Sequence, residues 1–155
     1  MRHFIAIILL IIGLYSCDKL PKNGDLDGMW HLQRMTHLNA SPQYEEHVAT
    51  QRIYWSVQRD LLQITSYNRE IYYDEIVKQS INKVQCRFEH TGTRLNINKI
   101  YLSYWVKDSL LTDPSTRIME PFGIMGCADT FHIEHLGSKQ MILISDDKRL
   151  VFRKF

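Results

Sequence analysis

The feature that most constrains this chain is a two-residue alternation of apolar and polar side chains, cut into short runs by turn-forming residues. Lys83-Val84-Gln85-Cys86-Arg87-Phe88-Glu89 shows it most plainly. In an extended strand Val84, Cys86 and Phe88 share one face, and Gln85, Arg87 and Glu89 the other. Similar runs begin at Trp30 and span Arg52 to Gln58, where Arg59-Asp60 suits a tight turn into Leu61-Leu62-Gln63-Ile64-Thr65. His90-Thr91-Gly92-Thr93 turns into Arg94-Leu95-Asn96-Ile97-Asn98, and Tyr101 to Val106 is a further apolar strand. At the end of the chain Phe131 and Ile133 share a face, Gly137-Ser138 marks a hairpin, and Asp146-Asp147-Lys148 turns between Gln140–Ser145 and Leu150–Phe155. About eight short strands with turns at this density predict an all-β meander closed as a sandwich or barrel.

Two segments depart from the alternation. Tyr67 to Asn82 places Tyr72, Tyr73, Ile76, Val77 and Ser80 at a spacing that also suits a short helix. Asp108 to Gly126 holds Pro114, Pro121, Gly123 and Gly126 and must be mostly loop. Loops this long are uncommon in compact domains and often functional, so both are candidates for a rim or lid.

The N-terminus carries an address. Met1-Arg2-His3 precedes an apolar run from Phe4 to Tyr15. As a helix, about twelve residues span roughly 18 Å against a hydrocarbon core of about 30 Å, so the run suits a cleaved signal. Leu14-Tyr15-Ser16-Cys17 resembles a lipobox. By that resemblance residues 1–16 are removed, and Cys17 becomes a lipidated N-terminus whose acyl chains hold the protein to a membrane. Residues 17–24, polar with Pro21 and Gly24, then form a tether ahead of a domain over 25–155. The address is the cell envelope, the outer membrane ahead of the inner.

Composition narrows function more than it defines it. Without residues 1–16 the chain keeps 18 Lys and Arg against 17 acids, which offers no electrostatic case for nucleic acid. Cys86 and Cys127 are either a disulfide, which persists where an exported chain sits, or equally two thiols packed as small apolar groups. Histidines are scattered: His132 and His135, three apart on a strand, should face opposite sides, which is wrong for one metal. Glu45-Glu46 and Asp146-Asp147 sit in polar turns, and no serine lies in a nucleophile elbow. The expectation is no catalytic residue, no metal, no cofactor and no enzyme. The aromatics Tyr54, Trp55, Tyr101, Tyr104 and Trp105 pack the core or line a cavity, one of each adjacent pair facing inward. Asp108-Ser109-Leu110 resembles a bacterial O-glycosylation acceptor.

Gly28-Met29-Trp30 opens the first strand, preceded by Asp25-Leu26-Asp27, and Arg153 lies in the last. This resembles the lipocalin arrangement, and the C-terminal strands resemble the small lipocalin-like domains of Gram-negative lipoproteins. The resemblance implies an antiparallel up-and-down β-barrel of about eight strands, with Trp30 at its closed floor and Arg153 packed across the indole. It also implies an interior lined by Val84, Phe88, Phe131 and Ile133. Two functions are compatible with such a barrel. One is a small apolar or amphipathic ligand held inside. The other is a filled barrel acting as an envelope structural or interaction module for a protein or glycan partner.

Overall fold

Alternation closes the sheet on itself. A computed structural model of the chain describes residues 22–68, 72–74, 79–103 and 108–155, the side chains of 72–74, 79 and 80 excepted. The signal, Cys17, Ile76, Val77, Tyr104, Trp105 and Val106 lie outside the described residues.

The strands are β1 (Gly28–His37), β2 (Tyr44–His47), β3 (Ile53–Gln58), β4 (Leu61–Ser66), β5 (Tyr72–Asp74), β6 (Gln79–Ile81), β7 (Lys83–Thr91), β8 (Arg94–Ser103), β9 (Asp108–Leu110), β10 (Asp129–Leu136), β11 (Gln140–Ile144) and β12 (Lys148–Lys154). Eight of them, β1, β3, β4, β7, β8, β10, β11 and β12, pair antiparallel in that order, and β12 returns to β1 to close a barrel. The chain is all-β, and the described barrel strands and core residues all lie from Leu26 onward. β2 folds back on the end of β1, and β9 on the end of β8.

Each strand sends its alternate apolar residues inward. Leu62 and Ile64 of β4, Val84, Cys86 and Phe88 of β7, and Met141 and Leu143 of β11 join one continuous core. Three bulges interrupt the period, on β1 between Leu32 and Arg34, between β7 and β8 at Arg87/Phe88, and on β10 between Ile133 and His135. An extra residue in one strand bends it and switches which positions face inward.

Three local expectations change. Arg94–Asn98 and the run from Tyr101 belong to one strand, β8, because the bulge opposite Arg87/Phe88 restores the inward face at Ile100 and Leu102. The segment whose spacing suited a helix holds the β5–β6 hairpin instead, since tyrosines and a β-branched isoleucine favour strand pairing. The long loop is broken by β9 and by a 3₁₀ turn, Glu120–Phe122.

The barrel therefore has two unlike ends. At one lie the N-terminal 3₁₀ turn Gly24–Leu26, the start of β1 and the β3–β4, β7–β8 and β10–β11 turns. At the other lie β2, the β5–β6 hairpin, the 111–128 loop and the β11–β12 turn.

Candidate functional site

The N-terminal end is closed by Trp30. Its ring is fully buried, and Nε1 donates to the Leu26 carbonyl oxygen at 2.8 Å, fastening the 3₁₀ turn across the floor. The cation over the indole is Lys154, with Nζ 4.7 Å from the ring centroid. Lys154 also donates to the Asp25 carbonyl oxygen at 2.8 Å. This corrects the expected role of Arg153, which is exposed on the outer face. The ladder explains why: Trp30 pairs with Lys154, and cross-strand partners share a face. Leu150 and Phe152 point inward, so alternation carries Lys154 inward and Arg153 out. Gly28 belongs to the same device. Its φ is +123°, and a Cβ there would lie 2.9 Å from Lys154 Cε. The glycine leaves room for the lysine stem that covers Trp30.

Val84, Phe88, Phe131 and Ile133 point inward, as alternation requires. Val84 and Phe131 border no water-accessible space, whereas Phe88 and Ile133 keep a little exposed surface. A ligand-sized cavity, even one sealed from bulk, would leave its lining within reach of a water-sized sphere. Trp55, Val84 and Phe131 are 0 % exposed, and so are Leu62, Ile64, Met141 and Leu143. Trp55 fills the centre, edge-on to Phe131 at 5.9 Å and tilted on Phe152 at 5.0 Å. Its neighbour Tyr54 faces the other side, stacked on His31 at 4.6 Å. Trp55 Nε1 is buried with no hydrogen-bond partner among the described residues.

The far end is plugged by the chain itself. The Glu120–Phe122 turn carries Met119, Phe122 and Ile124 into the core, each 0 % exposed. Gly123 follows at φ +93°, and a Cβ there would meet Leu150 Cδ1 at 2.6 Å, so the plug seats directly on β12. Asp129 holds the loop's return: Oδ2 accepts from the Met125 N–H at 2.9 Å and Oδ1 from the Thr130 N–H at 2.8 Å. Burial raises its carboxyl above its ordinary pKa, against the lowering effect of those two donors. A polar chain then ties plug to rim. Lys148, 2 % exposed, lies 3.6 Å from Glu120 Oε1 and donates to His37 Nδ1 at 3.0 Å. His37 Nε2 in turn lies 3.5 Å from Glu46, and the Tyr44 ring stacks on the imidazole at 4.3 Å. Periodicity could not reveal this chain, because Lys148 reads as part of a polar turn.

Cys86 and Cys127 are free thiols, so the bridge is not formed. Cys86 is an inward residue of β7 and Cys127 sits in the plug loop. Burial pushes the Cys86 thiol up to about 12, which keeps it protonated and unreactive. His132 and His135 both face outward, contrary to strict alternation, because the β10 bulge lies between them. No group of three metal-binding side chains occurs among the described residues. Glu45 pairs with Arg34 at 3.6 Å and Glu46 with His37, so both acids serve the β1–β2 hairpin. Ser109 lies in the middle of β9.

On the outside, a depression of about 650 Å³ lies against the closed end, lined by Lys22, Arg59, Arg87 and Lys99 together with Asp60 and Glu89. Arg87 and Asp60 form an ion pair at 2.6 Å. That hydrogen-bonded arginine, with Lys22 nearby, helps hold the Asp60 carboxyl below its usual range, after the aspartate's own backbone N–H.

The family model of a lipocalin-like domain matches residues 9–155. Among solved structures, a lipocalin-like protein from Bacteroides uniformis superposes with a TM-score of 0.55 at 18 % identity, covering 85 % of this chain and 100 % of that one. An uncharacterized protein from Bacteroides eggerthii superposes with a TM-score of 0.53 at 17 % identity, covering 83 % and 98 %. At such identities the likeness concerns the fold alone. No curated protein matches the chain.

Proposed function

Because this chain belongs to the lipocalin-like domain family, we propose that it is a membrane-anchored, non-enzymatic envelope protein whose barrel is filled and whose contacts are made from outside. The observation that carries this reading is the absence of water-accessible surface on Trp55, Val84, Phe131 and Met141, where a lipocalin-type ligand would lie. The plug of Met119, Phe122 and Ile124 supports it, since it occupies the end through which a ligand would enter. The partner is a protein or glycan of the envelope.

One observation favours a small ligand instead. Trp55 Nε1 is a buried donor without an acceptor, which costs about 1–3 kcal/mol unless a bound molecule or water supplies one. Native mass spectrometry of residues 18–155 made in a bacterial periplasm separates the two readings. The filled barrel predicts the bare chain mass before and after denaturation. An extra mass lost on denaturing would overturn it in favour of the ligand.

The anchor is tested separately. Cys17 is the only residue that thioether lipidation at the Leu14-Tyr15-Ser16-Cys17 motif can use. Cys17→Ala is expected to leave the leader attached and the chain without diacylglycerol, read by intact mass and by loss of labelled palmitate. Normal processing of the variant would refute the lipobox.

A further inference from the structure

We propose that the closed end of the barrel is an electrostatic docking face for the anionic, phosphate-bearing membrane surface to which the chain is tethered. The inference rests on the Cys17 anchor proposed above. Its own observations are the placement of the N-terminus and the distribution of unpaired charge.

The described chain begins at Lys22, and Asn23 Nδ2 donates to the Arg59 carbonyl oxygen at 2.6 Å. That bond pins the first residues of the domain to the β3–β4 turn. Between Cys17 and Lys22 lie five peptide steps, at most about 18 Å when fully extended. The tether therefore keeps Lys22 within about 18 Å of the surface that holds the acyl chains, a reach that lets the closed end come within the screening length of about 8–10 Å.

The charges of the two ends are managed differently. Toward the plugged end, Arg34, Arg117, Lys148 and Arg149 each pair with a glutamate, while Arg52 lies over the Tyr67 ring and Lys83 forms no ion pair among the described residues. At the closed end, Lys22, Arg59, Arg94, Lys99 and Lys139 form no ion pair among the described residues; only Arg87 does, with Asp60. Three of the unpaired cations, Lys22, Arg59 and Lys99, converge with Arg87 on the depression of about 650 Å³. Four cations there face two acids, Asp60 and Glu89, with side-chain amides of Asn23 and Asn98 among them. That chemistry fits phosphate oxygens. Leu61, 40 % exposed beside the β3–β4 turn, adds an apolar group suited to the headgroup boundary. Near an anionic leaflet each such cation strengthens binding about fivefold. Docked this way, the barrel points its plugged end, with the Glu120–Lys148–His37–Glu46 chain, away from the membrane.

The test uses residues 18–155, which contain every described barrel strand and core residue. Co-sedimentation is measured with vesicles of phosphatidylcholine alone and with added phosphatidylglycerol. Binding is expected only to the anionic vesicles, and to weaken as salt rises. The triple variant Lys22→Glu, Arg59→Glu, Lys99→Glu should lower the partition coefficient by about 100-fold or more, from about fivefold per cation. The control pair Lys83→Glu, Arg117→Glu at the other end should leave it within about threefold of the unaltered chain. Equal affinity for both vesicle types, or equal loss in control and triple variant, would overturn the docking face. The outcome is separable from the anchor: lipidated Cys17 without vesicle preference removes the docking face alone. Vesicle preference with Cys17 unmodified in cells removes the anchor and supports the face.

Discussion

Trp30→Ala should destabilise the domain by about 3–5 kcal/mol, measured by chemical unfolding of residues 18–155. The change removes the largest group at the barrel floor, one with no exposed surface. It also removes the donor to the Leu26 carbonyl, which leaves a buried acceptor unmatched and frees the 3₁₀ turn. A cost below 1 kcal/mol would show that the floor does not depend on the indole. Two further variants locate the cation. Lys154→Ala should cost about 1–2 kcal/mol, since the ammonium loses both the ring and the Asp25 carbonyl. Arg153→Ala should lie within about 0.5 kcal/mol of zero, because an exposed side chain on the outer face leaves little behind. The reverse order would restore the arginine to the role that the lipocalin pattern implies.

Phe122→Ala at the opposite end should also cost about 3–5 kcal/mol, and it should change what the protein binds. Phe122 is 0 % exposed and comes from a loop rather than from a barrel strand. Its backbone is held independently of the ring, by Gly123 against Leu150 and by Asp129 at the loop's return. The plug should therefore stay seated and leave an apolar hole of phenyl size. Such holes remain dry and take up small apolar guests. The unaltered protein should show no saturable binding of benzene; the variant should show it, read as a melting temperature that rises with benzene concentration. Equal binding by both proteins would mean that the barrel was already hollow or that the plug lifts freely.

Much of the barrel was legible because alternation is written residue by residue. β7, β10, β11 and β12 follow the apolar pattern closely, and the turns at Arg59-Asp60 and Gly137-Ser138 end strands where expected. Errors gathered at bulges. The shift opposite Arg87/Phe88 split β8 into two apparent strands, and the one on β10 turned His135 to the side of His132. A bulge has no strong local signature here, because its extra residue, Asn98 on β8 for example, is an ordinary polar side chain. The exchange of Arg153 for Lys154 is different. The inward Leu150 and Phe152 carried the information, and the family pattern pointed to the wrong neighbour.

The near-neutral total charge concealed a further feature. The acids and bases balance along the chain, yet ion pairs hold four cations toward the plugged end, whereas Lys22, Arg59 and Lys99 beside the outer depression form none among the described residues. Summed charge is a property of composition, whereas pairing depends on which turns share an end.

The resemblance to the lipocalin pattern supplied the glycine and tryptophan of the floor; by itself the sequence determined the strand period and the β10–β11 and β11–β12 turns. These depend on backbone geometry and on neighbours two residues apart. Only the tertiary structure decided that Trp55, Val84, Phe131 and Met141 are shut off from water, that the Glu120–Phe122 turn enters the core, that Lys154 covers Trp30, and that Cys86 and Cys127 stay apart. Filling a barrel requires volumes from every strand and from a distant loop to sum to the available space. That sum brings together side chains as far apart as Trp30 and Phe152, and no local pattern records it.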